Sequence, residues 1–274
     1  MTVLQLLGQS ALFLIMYFTL WYLAGIVLKN AGIVDIGWGA GFVLLSVWTL
    51  INAYSLNGLI LSLPIWIWGI RLAAHIGKRN LGKPEDFRYA QFRKEWGKVY
   101  YVRSYFQLFL FQALLMGIIS LPFLLGIHFS YQSTQLSTAL VSDTVMQFDT
   151  IRITALVLGY ILWLTGLICE TVADAQLHHF VHNKDKKEEL IQTGLWKYSR
   201  HPNYFGEIVF WWGVYIVALS VGAPWWSFVG PLTINLVIRY ISGVPMLEAR
   251  MMHKRGFAEY AKNTPIFVPF INKK

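Results

Sequence analysis

Seven long apolar runs, separated by short polar connections, constrain this chain more than any other feature. They cover approximately Leu4 to Leu28, Ile33 to Tyr54, Leu59 to Ile76, Tyr105 to Ser130, Ile151 to Val172, Tyr204 to Val221 and Trp225 to Ser242. About 20 predominantly apolar residues carry an α-helix across the hydrocarbon core of a bilayer. The expected class is therefore all-α: a polytopic membrane protein with seven transmembrane helices, the third, sixth and seventh being short or interrupted. With 56% hydrophobic and only 14% charged residues, an ordinary soluble domain is excluded.

The formal charge of +9 does not indicate nucleic acid, because the basic residues fall in short loops between the apolar runs. Loops 77–103 and 174–200 and the tail after Met246 are basic, whereas 131–150 has no Lys or Arg. The positive-inside bias then puts the basic loops and the C-terminus in the cytosol and the N-terminus outside, as an odd number of spans requires. The apolar N-terminus shows neither a basic leader nor a small-residue cleavage site, so a first membrane helix is expected there rather than a removed signal. Cys169 is the one cysteine, which leaves no disulfide framework within the chain. No repeat or biased linker divides the sequence, so residues 1–274 are read as one domain. The linker from Tyr131 to Thr150, with Ser133, Thr134, Ser137, Thr138 and Ser142, is expected to be solvated loop.

The densest polar signature is TGLWKYSRHPNYFGEIVFWWG, Thr193 to Gly213. Pro202 suits the first position of a helix, which places Asn203 and Glu207 one turn apart on one face, with Tyr204 beside them. Polar side chains at membrane depth generally face an interior cavity or a bound partner. The amides and positive dipole end of that helix, with Arg200 and His201, make a natural anion site. Just upstream, Glu170, Asp174 and His178 recur every four residues in CETVADAQLHHF. A metal is weighed for this stripe and set aside, since no second Glu-x-x-His pair accompanies it. Carboxylates that accept from ribose hydroxyls, followed by Lys184, Lys186 and Lys187 for phosphates, fit a nucleotide-like cofactor better.

Three further polar groups stand out. Asp35, in IVDIGWGAGF, is either an interfacial carboxylate paired with a cation or an acid whose burial lets it protonate or hydrogen-bond a carbonyl. The flanking Gly37, Gly39 and Gly41 allow close helix approach. Arg71 and His75 share one helix face, and an ion pair of Asp35 with Arg71 is plausible. The loop GKPEDFRY, Gly82 to Tyr89, is read first as a solvated charged loop and second as a cap on a pocket mouth. The basic tail is expected to lie on the cytosolic surface, with Met246, Met251, Phe257 and Phe267 as anchors, while Glu248, Arg250, His253 and Tyr260 could close over a cofactor.

At these residues the chain resembles the steroid 5-alpha-reductase-like integral membrane family, and among its members the short bacterial relatives. IVDIGWG, RNLGKPEDFRY, ETVADAQLHHF and above all GLWKYSRHPNYFGE with WWG behind it carry the resemblance, over most of the chain from Asp35 onward. It implies a seven-helix fold in a bacterial inner membrane, with NADPH entering from the cytosol and an apolar enone from the lipid. By position, Asn203 and Glu207 match the family's cofactor-contacting Asn and Glu, Tyr198 its preceding Tyr, and Glu170 and Asp174 its polar pair. Asp35 falls where the family has a Glu that orients the substrate carbonyl. The chain departs from the pattern at Val34, where reductases have Gln, at Trp68, where a catalytic Tyr is expected, and in the tail, which lacks the family's Arg, His and Tyr triplet.

The expected activity is NADPH-dependent reduction of a carbon–carbon double bond conjugated to a ketone in a lipophilic, steroid-like molecule. Asp35 and Arg71 are the catalytic candidates. Glu170, Asp174, Tyr198, Arg200, His201, Asn203, Tyr204 and Glu207 are the cofactor candidates, with no metal. The rival is a membrane methyltransferase using S-adenosylmethionine on a lipid or isoprenylcysteine, which resembles this chain in its RHP-x-Y-x-G stretch. A third possibility is a transporter or lipid-binding scaffold.

Overall fold

Every regular element in residues 1–139, 150–183 and 189–268, which the computed structural model describes, is helical. Helices satisfy their own backbone polar groups, as a hydrocarbon environment demands. Six stretches among the described residues are long and apolar enough to cross a bilayer: Val3–Val27, Ala31–Asn52, Leu56–Asn80, Phe87–Ile119, Thr150–His182 and Trp225–Met251. The sequence predicts seven. The difference falls on Pro202–Ser220, a helix of 19 residues whose first two turns hold Asn203 and Glu207, polar groups that lower its mean hydropathy.

The described residues group into two compact units, Met1–Ile153 with Ala218–Gly230, and Thr154–Val217 with Pro231–Lys274. In the first unit, α1 (Val3–Val27) starts at a reciprocal cap: Thr2 Oγ1 accepts from the Gln5 amide, and the Thr2 amide donates to Gln5 Oε1. Its apolar residues are not confined to one face. Leu6, Leu14 and Phe18 are buried, while Leu4, Leu12, Ile15, Met16, Leu20 and Leu23 are exposed. Such a surface suits acyl chains and not water.

α2 (Val34–Asn52) follows a short turn at Ala31–Ile33 and packs on α3 (Leu56–Asn80). The two backbones touch at Gly39 and Gly69, where a Cβ on either residue would strike the other's carbonyl oxygen. The supposed solvated loop after α3 is short. Asp86 caps α4 (Phe87–Trp96), its carboxylate accepting from the Arg88 amide at 3.0 Å. The chain continues through α5 (Tyr100–Ser104) and a π-helical turn at Tyr105–Leu110 into α6 (Phe111–Ile119). The predicted fourth run is thus not one helix from Tyr105 to Ser130. Pro122, which lacks an amide hydrogen, separates α6 from α7 (Leu121–Ala139) at Ser120. α7 also carries helix nine residues into the linker read as loop, and Ser142 lies outside the described residues.

The second unit takes most of α8 (Thr150–His182) and α9 (Pro202–Ser220), then the end of α10 (Val229–Leu236), a π-helical turn at Val237–Ile241, α11 (Val244–Met251) and α12 (Phe257–Asn263). α8 runs ten residues beyond the predicted end at Val172, so Glu170, Asp174 and His178 lie on one unbroken helix.

Candidate functional site

Within the second unit, α8 and α9 meet at four glycines spaced seven residues apart on each helix, Gly159 and Gly166 against Gly213 and Gly206. A Cβ at Gly206 would stand 2.5 Å from the Glu170 amide nitrogen and 2.7 Å from the Gly166 carbonyl oxygen. At Gly213 it would lie 2.8 Å from the Gly159 carbonyl oxygen. The helices are therefore in backbone contact, a packing that only small residues permit. This approach buries Glu170 to 4% exposure beside Gly206. One turn further, Asn203 Nδ2 donates to Asp174 Oδ1 at 3.3 Å. A carboxylate only accepts, so it is the amide nitrogen of Asn203 that faces Asp174, and its oxygen is turned elsewhere. That oxygen is buried and has no hydrogen-bond partner among the described residues.

The turn ahead of α9 is docked on the end of α8. Trp196 packs with Ala173 and Ile191, and its indole nitrogen donates to the Ala173 carbonyl at 3.2 Å. Leu195 donates its amide to Gln176 Oε1 at 3.0 Å. Arg200 and His201, expected to face an open anion site, are instead 8% and 1% exposed. Glu248 binds both: Oε1 lies 2.9 Å from Arg200 Nε and 3.0 Å from His201 Nε2. The tail reinforces this, since the Arg200 and His201 amides donate to the Pro265 and Ile266 carbonyls at 2.9 and 3.2 Å. Arg200 Nη1 donates to the Ala261 carbonyl at 2.7 Å. Burial pushes the Tyr260 phenol above its ordinary range, which keeps it a donor to the Trp196 carbonyl. The tail is therefore not merely laid on a surface. Met251 and Phe257, read as lipid anchors, pack with Leu190 and Tyr260.

Tyr204 stacks on His201 with ring centroids 5.5 Å apart. Tyr198 is exposed and lies under the Lys197 ammonium. Glu207 sits one turn beyond Asn203, half-buried. Among the described residues no group of three His, Cys, Asp or Glu is placed to hold a metal ion. His178 stacks on His182 at 4.1 Å. Lys184, Lys186 and Lys187 lie outside the described residues.

In the first unit Asp35 is paired, but with Arg88 and not Arg71. Arg88 Nη2 donates to Oδ2 at 2.7 Å and the Tyr89 phenol to Oδ1 at 2.6 Å. Both carboxylate oxygens are thus engaged as acceptors. Arg88 also grips Asp86 through Nε at 2.9 Å. Burial opposes charge on Asp86, yet the hydrogen bonds and charge of Arg88 hold its carboxyl below the usual aspartate range. Glu85 accepts from both Arg93 Nε and Nη2, at 3.0 and 2.9 Å, and from the Ala31 amide at 2.7 Å. The acidic residues of KPEDFRY are therefore fasteners that tie the loop to the start of α2. Arg71 is partly buried in α3.

Sequence reasoning missed Glu248 as the partner of the RHP turn, because the two are 47 residues apart and Glu248 stands alone among tail charges. It also missed Arg88 and Tyr89 as the partners of Asp35. Their signal was legible in retrospect: a lone carboxylate among glycines needs a cation, and KPEDFRY supplies one next to a phenol.

The residues at the α8–α9 contact fit a dinucleotide in part. A buried amide oxygen lacking a donor and a half-buried carboxylate one turn away suit amide and ribose hydroxyl groups, whereas Arg200 already has its counter-ion. The long apolar helices define a polytopic helical protein of the membrane class, and its sequence is of the steroid 5-alpha-reductase-like kind. The chain belongs to the family described as "Protein of unknown function (DUF1295)", which matches residues 21–264. It is also similar to human 3-oxo-5-alpha-steroid 4-dehydrogenase 1, with 30% identity over 114 residues, 42% of this chain and 41% of that protein. The Macaca fascicularis protein of the same name is 28% identical over 114 residues, 42% and 40% of the two chains. An uncharacterized protein of Schizosaccharomyces pombe is 26% identical over 130 residues, 42% and 44% of the two chains. The chain thus spans about two fifths of the length of the curated relatives it matches. No solved structure matches it.

Proposed function

We propose that this protein is an NADPH-dependent membrane reductase acting on a carbon–carbon double bond conjugated to a ketone in a lipophilic, steroid-like molecule. The observation that carries the reading is Asn203: its amide nitrogen is fixed by Asp174, and its oxygen is buried without a donor. A buried acceptor of this kind is costly unless a ligand satisfies it. When bound, NADPH supplies the hydride that the β carbon of an enone accepts. Asn203, Asp174, Glu170 and Glu207 then hold its amide and hydroxyl groups, with Tyr198 and Tyr204 beside them. Arg200 and His201 keep the turn in place through Glu248.

Resemblance assigns the substrate ketone to Asp35, and Arg71 is the second catalytic candidate. Within its own unit Asp35 accepts from Arg88 and Tyr89, and the single phenolic proton of Tyr89 is committed to that carboxylate, so this reading keeps Asp35 as the group that orients the ketone and Arg71 as the reserve donor. A donor to the ketone oxygen stabilises the enolate that forms when the β carbon takes hydride, before the α carbon takes a proton. On this reading Pro202–Ser220 is a seventh span, and the positive-inside bias then favours an N-terminus outside a bacterial inner membrane with the basic loops and the cofactor side in the cytosol.

The test is thermal unfolding of the purified chain in detergent with NADPH, NADH or S-adenosylmethionine. NADPH is expected to raise the Tm, and Asn203→Ala to abolish the shift. A shift with S-adenosylmethionine alone transfers the protein to the methyltransferase reading, and no shift with any of them leaves the non-enzymatic scaffold.

A further inference from the structure

A small recess in the first unit takes no part in the site above. Tyr22, Ala31, Arg93, Tyr100, Ser104 and Phe109 line it, and its interior has room for roughly one water-sized atom. Tyr100 is 4% exposed, yet its hydroxyl has no hydrogen-bond partner among the described residues. The Arg93 guanidinium lies over the Tyr100 ring, 4.2 Å from its centroid. Glu85 engages Nε and Nη2 of that guanidinium, which leaves Nη1 for another acceptor. Tyr100 is flanked in turn by Trp96 at 6.1 Å, over which Arg103 sits at 5.7 Å. The next residues, Tyr105–Leu110, form a π-helical turn, a distortion common at functional sites.

The surroundings give the ligand's character. Ile26 and Tyr101, which also line the recess, are exposed, as are Val102 and Phe106 in the adjoining sequence, an apolar and aromatic surface of the kind found at membrane interfaces. The stretch from Arg93 to Arg103 carries Arg93, Lys94, Lys98 and Arg103 against the single acid Glu95. The recess therefore sets a buried phenol beside one guanidinium nitrogen; because Glu85 already counters the charge of Arg93, the surplus positive charge for an anion is that of Lys94, Lys98 and Arg103 in the same stretch, where exposed apolar residues suit acyl chains. A neutral ester oxygen would use the donors but not the charge.

We propose that this recess is a binding site for an anionic phospholipid headgroup, one phosphate oxygen of which enters it and accepts from Tyr100 Oη and Arg93 Nη1. The basic residues outside meet the remaining charge, as interfacial Lys and Arg do with anionic lipids. The site is independent of the reductase reading.

The experiment uses the full chain, delipidated in detergent and titrated with dioctanoyl phosphatidylglycerol, dioctanoyl phosphatidylcholine or inorganic phosphate while the Tm is followed. Phosphatidylglycerol is expected to give a saturable rise and phosphatidylcholine none. Tyr100→Phe, which keeps the ring, is expected to weaken apparent affinity for phosphatidylglycerol about ten-fold, the effect of one hydrogen bond to a charged group. Arg103→Gln, a surface change without bearing on folding of the recess, is expected to weaken it too. The proposal is overturned if the two lipids act alike, if inorganic phosphate saturates at the same concentration as the lipid, or if both variants bind phosphatidylglycerol like the parent, in which case the recess holds only water.

Discussion

Gly206→Ala tests the α8–α9 contact without removing a polar group. The new Cβ would stand 2.5 Å from the Glu170 amide nitrogen and 2.9 Å from its Cα. Both are backbone atoms, so no rotamer change relieves the contact. Restoring ordinary separation moves the helices apart by about 0.9 Å at this level, an overpacking worth ~1–3 kcal/mol of stability. Asn203 lies one turn away, and its 3.3 Å bond to Asp174 is already near the long limit for a hydrogen bond. An opening of that size breaks it and unfixes the amide whose oxygen awaits a donor. Losing that single bond, about 1 kcal/mol, weakens NADPH roughly five-fold.

Gly213→Ala supplies the comparison, because it meets the α8 backbone as closely but two turns further along the helix. Both variants are expected to lower the Tm in detergent, and only Gly206→Ala to weaken the NADPH-induced shift. Gly8→Ala, where a Cβ meets nothing, should do neither. Equal loss of the NADPH response in the Gly206 and Gly213 variants, or no loss of stability in either, would refute the argument.

Other changes probe the fasteners. Glu248→Gln leaves Arg200 and His201 without their counter-ion in nearly dry surroundings. Breaking a buried pair costs ~3–5 kcal/mol, and with Glu248 partly exposed the lower end is expected, read as a fall in Tm in detergent. A fall no larger than that of a surface Gln substitution would deny the tail its locking role. Asp86 sets an acid limit: because its folded value is depressed, its contribution is complete above the ordinary aspartate value of about 4 and is lost as pH falls through the lower folded value. Asp86→Asn is accordingly expected to flatten the acid limb of the Tm against pH profile while leaving the slope near neutrality unchanged.

Much of this protein is legible in the residues alone. The apolar runs call for helices because no other element hides its backbone from lipid within so short a segment. Pro202 begins a helix because a missing amide hydrogen costs nothing at that position, and helical spacing by itself aligns Glu170, Asp174 and His178, and Asn203 with Glu207. Partner choice is another matter. Asp35 could have met Arg71 by its depth along the helix, yet it is held by Arg88 and Tyr89, 53 and 54 residues away. Arg200 and His201 look like anion ligands until Glu248 and the tail backbone close on them. One-dimensional spacing reports which side chains share a helix face. It carries nothing about which face meets another helix, and charges are settled there, by whichever counter-charge packing brings within 3 Å.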